Sequence, residues 1–119
     1  MDNEGVHEMA HYLVEATYAP GAVGGMIAHP QDRREAIKPI VERMGGKVEA
    51  FYFVAGETAA VVIMELPDDV AATSFAMAVT ASGAVRSFTS RALLTVEESM
   101  RAMGAAAQAE YRPPTTGTP

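Results

Sequence analysis

The sequence contains no cysteine, which excludes disulfide bonds, thiolate metal ligands and a cysteine nucleophile. It also has no apolar run approaching the roughly 20 residues that a membrane-spanning helix needs, and no signal-like region at its start. Basic residues are few, since 9 Lys and Arg stand against 15 Asp and Glu, for a net charge of −6. Phosphate contacts need clustered basic side chains, so this balance argues against nucleic-acid and membrane partners. We therefore expect a cytoplasmic protein.

Sequence motifs for cofactors and catalysis are missing as well. The sequence has no nucleotide-binding loop, no metal-ligand spacing and no nucleophile elbow, so we predict no cofactor and no metal. The length of 119 residues, with 49% hydrophobic and 20% charged residues, suits one globular domain. Within it we predict a flexible N-terminus at 1–8, a single domain with a C-terminal helix at 9–104 and a flexible tail at 105–119.

The stretch from Val48 to Leu66 is the centre of the predicted fold. The run from Val48 to Ala55 combines valines with three consecutive aromatic residues, and the run from Ala60 to Leu66 is nearly all aliphatic. Aromatic and β-branched residues fit a pleated, buried surface. Gly56 between them can adopt a positive φ at little cost. The pattern predicts an antiparallel hairpin. A buried helix through 57–64 is the alternative, and it is disfavoured because the run is short and valine-rich.

The rest of the chain predicts two more strands and three helices. The connection at 19–31 is glycine-rich and is predicted as either a helical turn or a loop. The other elements are a strand from Met9 to Tyr18, a helix capped by Asp32 and ended by Gly45, a helix capped by Asp68 and ended by Ser82, a strand from Ala84 to Leu94 and a last helix capped by Thr95.

This order of elements defines the predicted fold class. A βαββαβ chain with right-handed crossovers gives an α+β, ferredoxin-like domain, with both helices on one side of a four-stranded antiparallel sheet. The other side exposes aromatic residues, either Phe51 and Phe53 or, on the opposite parity, Tyr52. Only the C-terminal helix or a second copy of the chain is available to cover that side. We therefore expect a homodimer or a larger homo-oligomer.

Several runs of the sequence resemble one protein family. They are YLVEATY, RREAIKPIVERMGGKVEAFYFVAGE, VVIMELPDD and ASGAVRSFTSRALLTVEE, which span roughly residues 10 to 100. The chain resembles the GYD-domain family of small bacterial proteins in the dimeric α/β-barrel group. The resemblance implies a ferredoxin-like protomer that pairs into a dimeric α/β barrel, in a family without an established biochemical role. The Gly-Glu-Tyr-Asp turn of the family falls on Gly56, Glu57, Thr58 and Ala59, so its Tyr and Asp are absent.

Two histidines are the candidate catalytic residues. His11 and Glu15 share one face of the first predicted strand, about 13 Å apart, which is too far to ligate one metal directly. They could line a pocket as a base and a polar anchor, or simply lie on a half-exposed face or in a dimer interface. His29 precedes the first long helix and could line a ligand cleft. The alternative is a solvated loop side chain held extended by Pro30.

Tyrosine and arginine supply the candidate ligand-binding residues. Tyr12, Tyr18 and Tyr52, with Glu15, could orient a bound ligand, although tyrosines also occupy protein cores without one. Arg86 is the preferred cation because it follows Gly83 in the family-like run. Arginines can hold a carboxylate or phosphate through the planar guanidinium, and four are considered: Arg33, Arg34, Arg86 and Arg91.

Two functions remain open from the sequence. The first is an oligomeric small-ligand-binding or accessory protein, since no catalytic constellation is present. The second is a cofactor-independent enzyme in which His11 or His29 moves a proton on a small apolar substrate in the barrel pocket, an idea that rests on fold analogy. A purely structural oligomer differs from the first only in lacking a pocket. An enclosed, mostly apolar pocket would favour a binder or an enzyme over that scaffold.

Overall fold

The computed structural model describes residues 9–115, and its strands and helices follow in the order βααββαβα. Their bounds are β1 Ala10–Tyr18, α1 Pro20–Ala28, α2 Arg33–Arg43, β2 Lys47–Phe53, β3 Ala59–Leu66, α3 Asp69–Ala81, β4 Val85–Leu93 and α4 Val96–Ala107.

The four strands form one antiparallel sheet in the order β2-β3-β1-β4. The first strand lies in the middle, between β3 and β4, with Val14 opposite Val62 on one side and Ser90 on the other. Helix α2 packs on β2, and α3 packs on β4 and β3. The ferredoxin-like α+β fold and its four-stranded antiparallel sheet are therefore confirmed.

One element differs from the βαββαβ expectation. The glycine-rich connection after β1, predicted as a helical turn or a loop, forms the nine-residue helix α1. Pro20 lies at its start, where a missing N–H costs nothing and the fixed φ suits a helix. Its three glycines weaken the sequence signal for a helix, because glycine is a poor helix former. None of its residues is buried, so α1 is an addition at the edge of the domain.

Alternation along the strands separates two faces of the sheet. On the side of α2 and α3, which we call the covered face, Tyr12, Val14, Met64 and Leu66 form the core with Val41 of α2. On the other side, which we call the open face, the intervening residues of β1 and β3 are half-buried or exposed. The period of two in the sequence thus decides which residues form the core.

Side-chain caps and glycines fix the ends of the elements as predicted. The carboxylates of Asp32 and Asp68 accept hydrogen bonds from backbone N–H groups in the first turns of α2 and α3. Gly45 ends α2 with φ +88°, a left-handed conformation that glycine adopts without strain. A Cβ on Gly46 would collide with the carbonyl oxygen of Glu65, so only glycine allows this approach to β3. Gly56 has φ +79° in the hairpin turn.

Helix α4 follows β4 and begins with a complete capping box. Thr95 accepts from the N–H of Glu98, and the Glu98 carboxylate accepts from the N–H of Thr95. The helix ends at Ala107, so the predicted domain boundary at residue 104 lies inside it. The predicted flexible N-terminus at 1–8 lies outside the described residues, as do the last four residues of the predicted tail. In the part that is described, no helix combines the length and the apolar character needed to cross a membrane.

Candidate functional site

A cleft of about 260 Å³ opens between α2, α3 and the covered face of the sheet. Helix α2 packs over the β2 side and α3 over the β4 side, so the middle of the sheet lies between them. The lining is almost entirely apolar. The floor includes Val14, Ala16, Ala60 and Val62, and the walls include Ala36, Ile37 and Ile40 from α2 and Phe75, Ala78 and Val79 from α3.

Small side chains account for this space. Ala16 and Ala60 are cross-strand partners, so two alanines lie side by side in the floor. Ala36 and Ala78 line the cleft from the two helices above. Larger residues at these four positions would fill the space and complete a continuous core, because protein interiors otherwise pack closely. The cleft therefore results from alanine at positions where a larger apolar side chain would complete the core.

One charged side chain lines this cleft among residues 9–115. Arg33 is the first residue of α2 and is partly buried, and its Nη1 donates to the Oε1 of Gln31 at 3.1 Å. Its Nε is buried and has no hydrogen-bond partner in the described part of the chain. Tyr18 and Ser82 are the lining residues with a hydroxyl, and that of Ser82 already donates to the carbonyl of Val79 at 2.6 Å and accepts from the N–H of Ala84. Arg33 thus leaves an unused donor.

The next arginine behaves differently. Arg34 donates from Nε and Nη2 to the two carboxylate oxygens of Asp32, at 3.1 and 2.9 Å. These hydrogen bonds lower the pKa of Asp32 and raise that of Arg34, and they occupy the Asp32 carboxylate that caps α2. Asp32 is thereby held by Arg34 and not by Arg33. The carboxylate nearest to Arg33 in the sequence therefore does not neutralise the Arg33 guanidinium.

The open face carries a polar cluster of its own. His11 Nδ1 lies 3.1 Å from Oε1 of Glu49, and Lys47 Nζ lies 3.8 Å from Oε2 of Glu65. The hydrogen bond to Glu49 raises the pKa of His11. Burial raises the pKa of Glu49, but hydrogen bonding with His11 and Glu65 outweighs it and the pKa is lowered. On β1, the Oε1 of Glu15 lies 3.5 Å from the Nη2 of Arg91 on β4.

A bulge in β2 lies at this cluster. The register between β2 and β3 shifts between Val48 and Ala50, so Glu49 is the extra residue. One ligand atom each of His11, Glu49 and Glu65 lies within 4.8 Å of the others, and these residues could hold a metal ion. His11 and Lys47 already provide positive partners for the two carboxylates when the histidine is protonated. The absence of a metal from the natural protein stays a prediction.

The structure places the predicted site residues in several regions. His11, Glu15 and Tyr52 lie on the open face, where Tyr52 is 70% exposed. Tyr12 lies on the covered face, 3% exposed, and its hydroxyl donates to Oδ1 of Asp69 at 2.7 Å. Burial, with that hydrogen bond, raises the pKa of Tyr12 to about 12.

The remaining two predicted residues lie apart from the cleft. His29 caps the C-terminal end of α1 and is exposed, and Arg86 is exposed near the start of β4. Among the histidine, glutamate and tyrosine candidates and Arg86, Tyr18 alone lines the cleft, and the roles of all of them remain predictions. Thr58 and Ala59, which stand where the resemblance places Tyr and Asp, do not line it either.

Sequence reasoning did not select the residues that give the cleft its character. Arg33 was one of four arginines considered, and its distinguishing feature is the position directly after the cap Asp32, at the start of α2. The alanines carried no signal by themselves. A search for alanine at core parity, as at Ala16 and Ala60, would have indicated a missing volume.

Comparison with known proteins agrees with the fold. The model of the GYD domain family matches residues 12–103. This range includes all four strands except Ala10 and His11 at the start of β1, and most of α4. A search of curated proteins and a search of solved structures each gave no match. The family match covers more than half of the chain, and it spans both the cleft and the open face. The chain therefore belongs to the GYD domain family.

Proposed function

We propose that the protein binds a small apolar ligand in the cleft between α2, α3 and the sheet. The observation that carries the proposal is the cleft of about 260 Å³, lined by aliphatic and aromatic side chains with one guanidinium. Ligand pockets are typically apolar with a few polar groups that orient the ligand. An apolar cavity of about 150 Å³ accepts benzene, so this cleft suits a ligand on the order of ten non-hydrogen atoms.

Titration with octanol, a neutral apolar probe, tests this function. We expect the methyl NMR signals of Val14, Val62 and Val79, which line the cleft, to shift together and saturably. The signal of Val70, exposed on α3, should stay in place. Octanol that shifts only exposed methyl groups, or none, would contradict the proposal.

A paired substitution on one helix makes the test specific to the cleft. Ala78→Leu places a larger side chain in the wall of the cleft, and it should abolish octanol binding. Ala81→Leu, at the exposed end of the same helix, adds the same atoms away from the lining and should leave binding unchanged. Both substitutions keep helix propensity high, so loss of α3 does not explain a difference between them.

We also propose that a second copy of the chain covers the open face, which would make the protein a homodimer of the barrel type. Leu13, Val61 and Ile63 form a half-exposed aliphatic centre on that face, beside the exposed ring of Tyr52. Helix α4 supports the same proposal, because it carries three large apolar side chains that are exposed within the described chain: Val96, Met100 and Met103. Exposed apolar surfaces of this kind mark association sites.

Light scattering at micromolar concentration tests the dimer. Val61→Lys should give a monomer, because burying the ammonium against a second copy would carry a large desolvation penalty. The monomer should still fold, since the side chain at position 61 is only half-buried on the open face of a single chain. Val70→Lys, on the exposed surface of α3, should remain a dimer. A wild-type protein that scatters as a monomer would overturn this part of the proposal.

A cofactor-independent enzyme is the second candidate function. The His11–Glu49 hydrogen bond favours it, because catalytic histidines are commonly oriented by a carboxylate. In that case the barrel interior on the open face would hold the substrate. The same octanol titration separates the candidates: an enzyme of this kind predicts shifts of the His11 ring signals, whereas binding in the cleft predicts shifts of the cleft methyl groups alone.

A further inference from the structure

We infer that the ligand of the cleft is an apolar monocarboxylate whose carboxylate is bound by Arg33. This inference rests on the proposed ligand-binding function and adds the chemical class of the ligand. The first observation is the unpaired Nε of Arg33, buried beside an otherwise apolar cleft. Leaving a buried charged donor without an acceptor is unfavourable, and an acceptor arriving with the ligand would remove that penalty.

The neighbourhood of Arg33 explains why the acceptor must come from outside the described chain. Asp32 is occupied by Arg34, and Gln31 is uncharged and accepts only from Nη1. The hydroxyl of Ser82 is already engaged with the backbone. The guanidinium therefore keeps its positive charge uncompensated at the cleft. A planar carboxylate matches the fork of a guanidinium and can accept two parallel hydrogen bonds.

Charge and size narrow the ligand class further. One guanidinium balances one negative charge, whereas a phosphate monoester carries about −1.5 to −2 and would leave charge unbalanced in an apolar cleft. The net charge of −6 also disfavours a dianion. The apolar walls require that the rest of the ligand be hydrocarbon or aromatic. A short fatty acid or an arylalkanoic acid on the order of ten non-hydrogen atoms satisfies both conditions.

Calorimetric titration with three probes of equal chain length tests the inference: octanoate, octanol and octyl phosphate. The wild-type protein should bind octanoate about tenfold more tightly than octanol, the gain expected from a charge-assisted hydrogen bond. Arg33→Gln should remove this preference and keep octanol binding, which also shows that the variant folds and retains the cleft. Arg43→Gln, with the same change of charge at the exposed end of α2, should keep the preference for octanoate.

The outcomes separate this inference from the function on which it rests. If octanol binds in the cleft but octanoate binds no better, or if Arg33→Gln leaves octanoate binding unchanged, the carboxylate assignment is wrong and the ligand-binding function stands. Octyl phosphate binding more tightly than octanoate would also overturn the assignment. If none of the three probes binds to the wild-type protein, the ligand-binding function fails and the inference fails with it.

Discussion

The two faces of the sheet are built from alternate residues of the same strands but differ in burial and polarity. On the covered face, residues of β1 and β3 such as Tyr12 and Met64 are buried under helices, yet the packing stops short and leaves a cleft. On the open face, their sequence neighbours His11 and Ile63 are half-buried and lie among ion pairs and aliphatic side chains. The comparison shows that stability and the candidate ligand site share one face, whereas the proposed self-association belongs to the other.

The sharpest test of this difference uses two adjacent residues. Met64→Ala removes a side chain that is 0% exposed and should lower the free energy of unfolding by about 2–5 kcal/mol. Ile63→Ala, one residue away on the open face, should cost about 1 kcal/mol in the monomer, because its side chain is only half-buried. Urea unfolding at low protein concentration measures both values. Equal penalties would contradict the assignment of the faces.

Protein concentration extends the same comparison. If a second copy covers the open face, the penalty of Ile63→Ala should grow as concentration rises, because dimerisation adds to apparent stability. The penalty of Met64→Ala should stay constant, since its side chain belongs to the core of one protomer.

A smaller effect is expected at the tyrosines of the two faces. Tyr12→Phe removes the hydroxyl that donates to Asp69 and should cost about 1–2 kcal/mol at neutral pH. Tyr52→Phe should cost almost nothing, because the Tyr52 side chain is 70% exposed. Chemical denaturation of both variants beside the wild type gives the difference. A larger loss for Tyr52→Phe would show that the open face contributes more to folding than its exposure implies.

The raised pKa of Tyr12 adds a pH dependence to this prediction. The pKa is about 12 in the folded chain and about 10 for an unperturbed tyrosine, so the folded state holds the proton more tightly. The stabilisation is fully present below pH 10 or so and is lost as the pH rises through about 12. The free energy of unfolding should therefore fall over that range, and less steeply in Tyr12→Phe. Phenolate absorbance follows the same titration directly.

The sequence predicts the faces better than it predicts the site. Alternation along β1 assigns Tyr12 and Val14 to the core, and the caps Asp32 and Asp68 begin the two helices, because these signals are local. The cleft is not local, since it arises where Ala16 meets residues of β3 and of both helices. No periodicity records how much volume those distant alanines leave empty.

The bulge at Glu49 shows a second limit, and also an unused signal. Lys47 and Glu49 share odd parity with Phe51 and Phe53, so an unbroken strand would place charged and aromatic residues on one face. The register shift between Val48 and the residues after Glu49 resolves this conflict, because it leaves the rings of Phe51 and Phe53 on the covered face. Mixed polarity at one parity therefore indicates a bulge, and this one lies at Glu49, which contacts His11 on the open face.

The smallest predicted effect concerns that His11–Glu49 pair. Glu49→Gln removes the carboxylate that raises the pKa of His11, so the imidazole should titrate at lower pH, which NMR of the ring signals measures. The loss of stability should be about 0.5 kcal/mol, because both side chains are partly exposed, at 27% and 30%. His11 has a raised pKa, so its contribution is present below about pH 6.5 and is lost as pH rises through the folded value. Glu49 has a lowered pKa, so its contribution is lost as pH falls through that value. The loss of stability in Glu49→Gln should therefore be largest in mildly acidic solution, between the two titrations.

Glu15→Gln, at the ion pair with Arg91 on the same face, is the matched control and should leave the His11 titration in place. An unchanged His11 pKa in Glu49→Gln would mean that the open-face cluster does not act as a unit, and the contrast between the faces would then rest on packing alone.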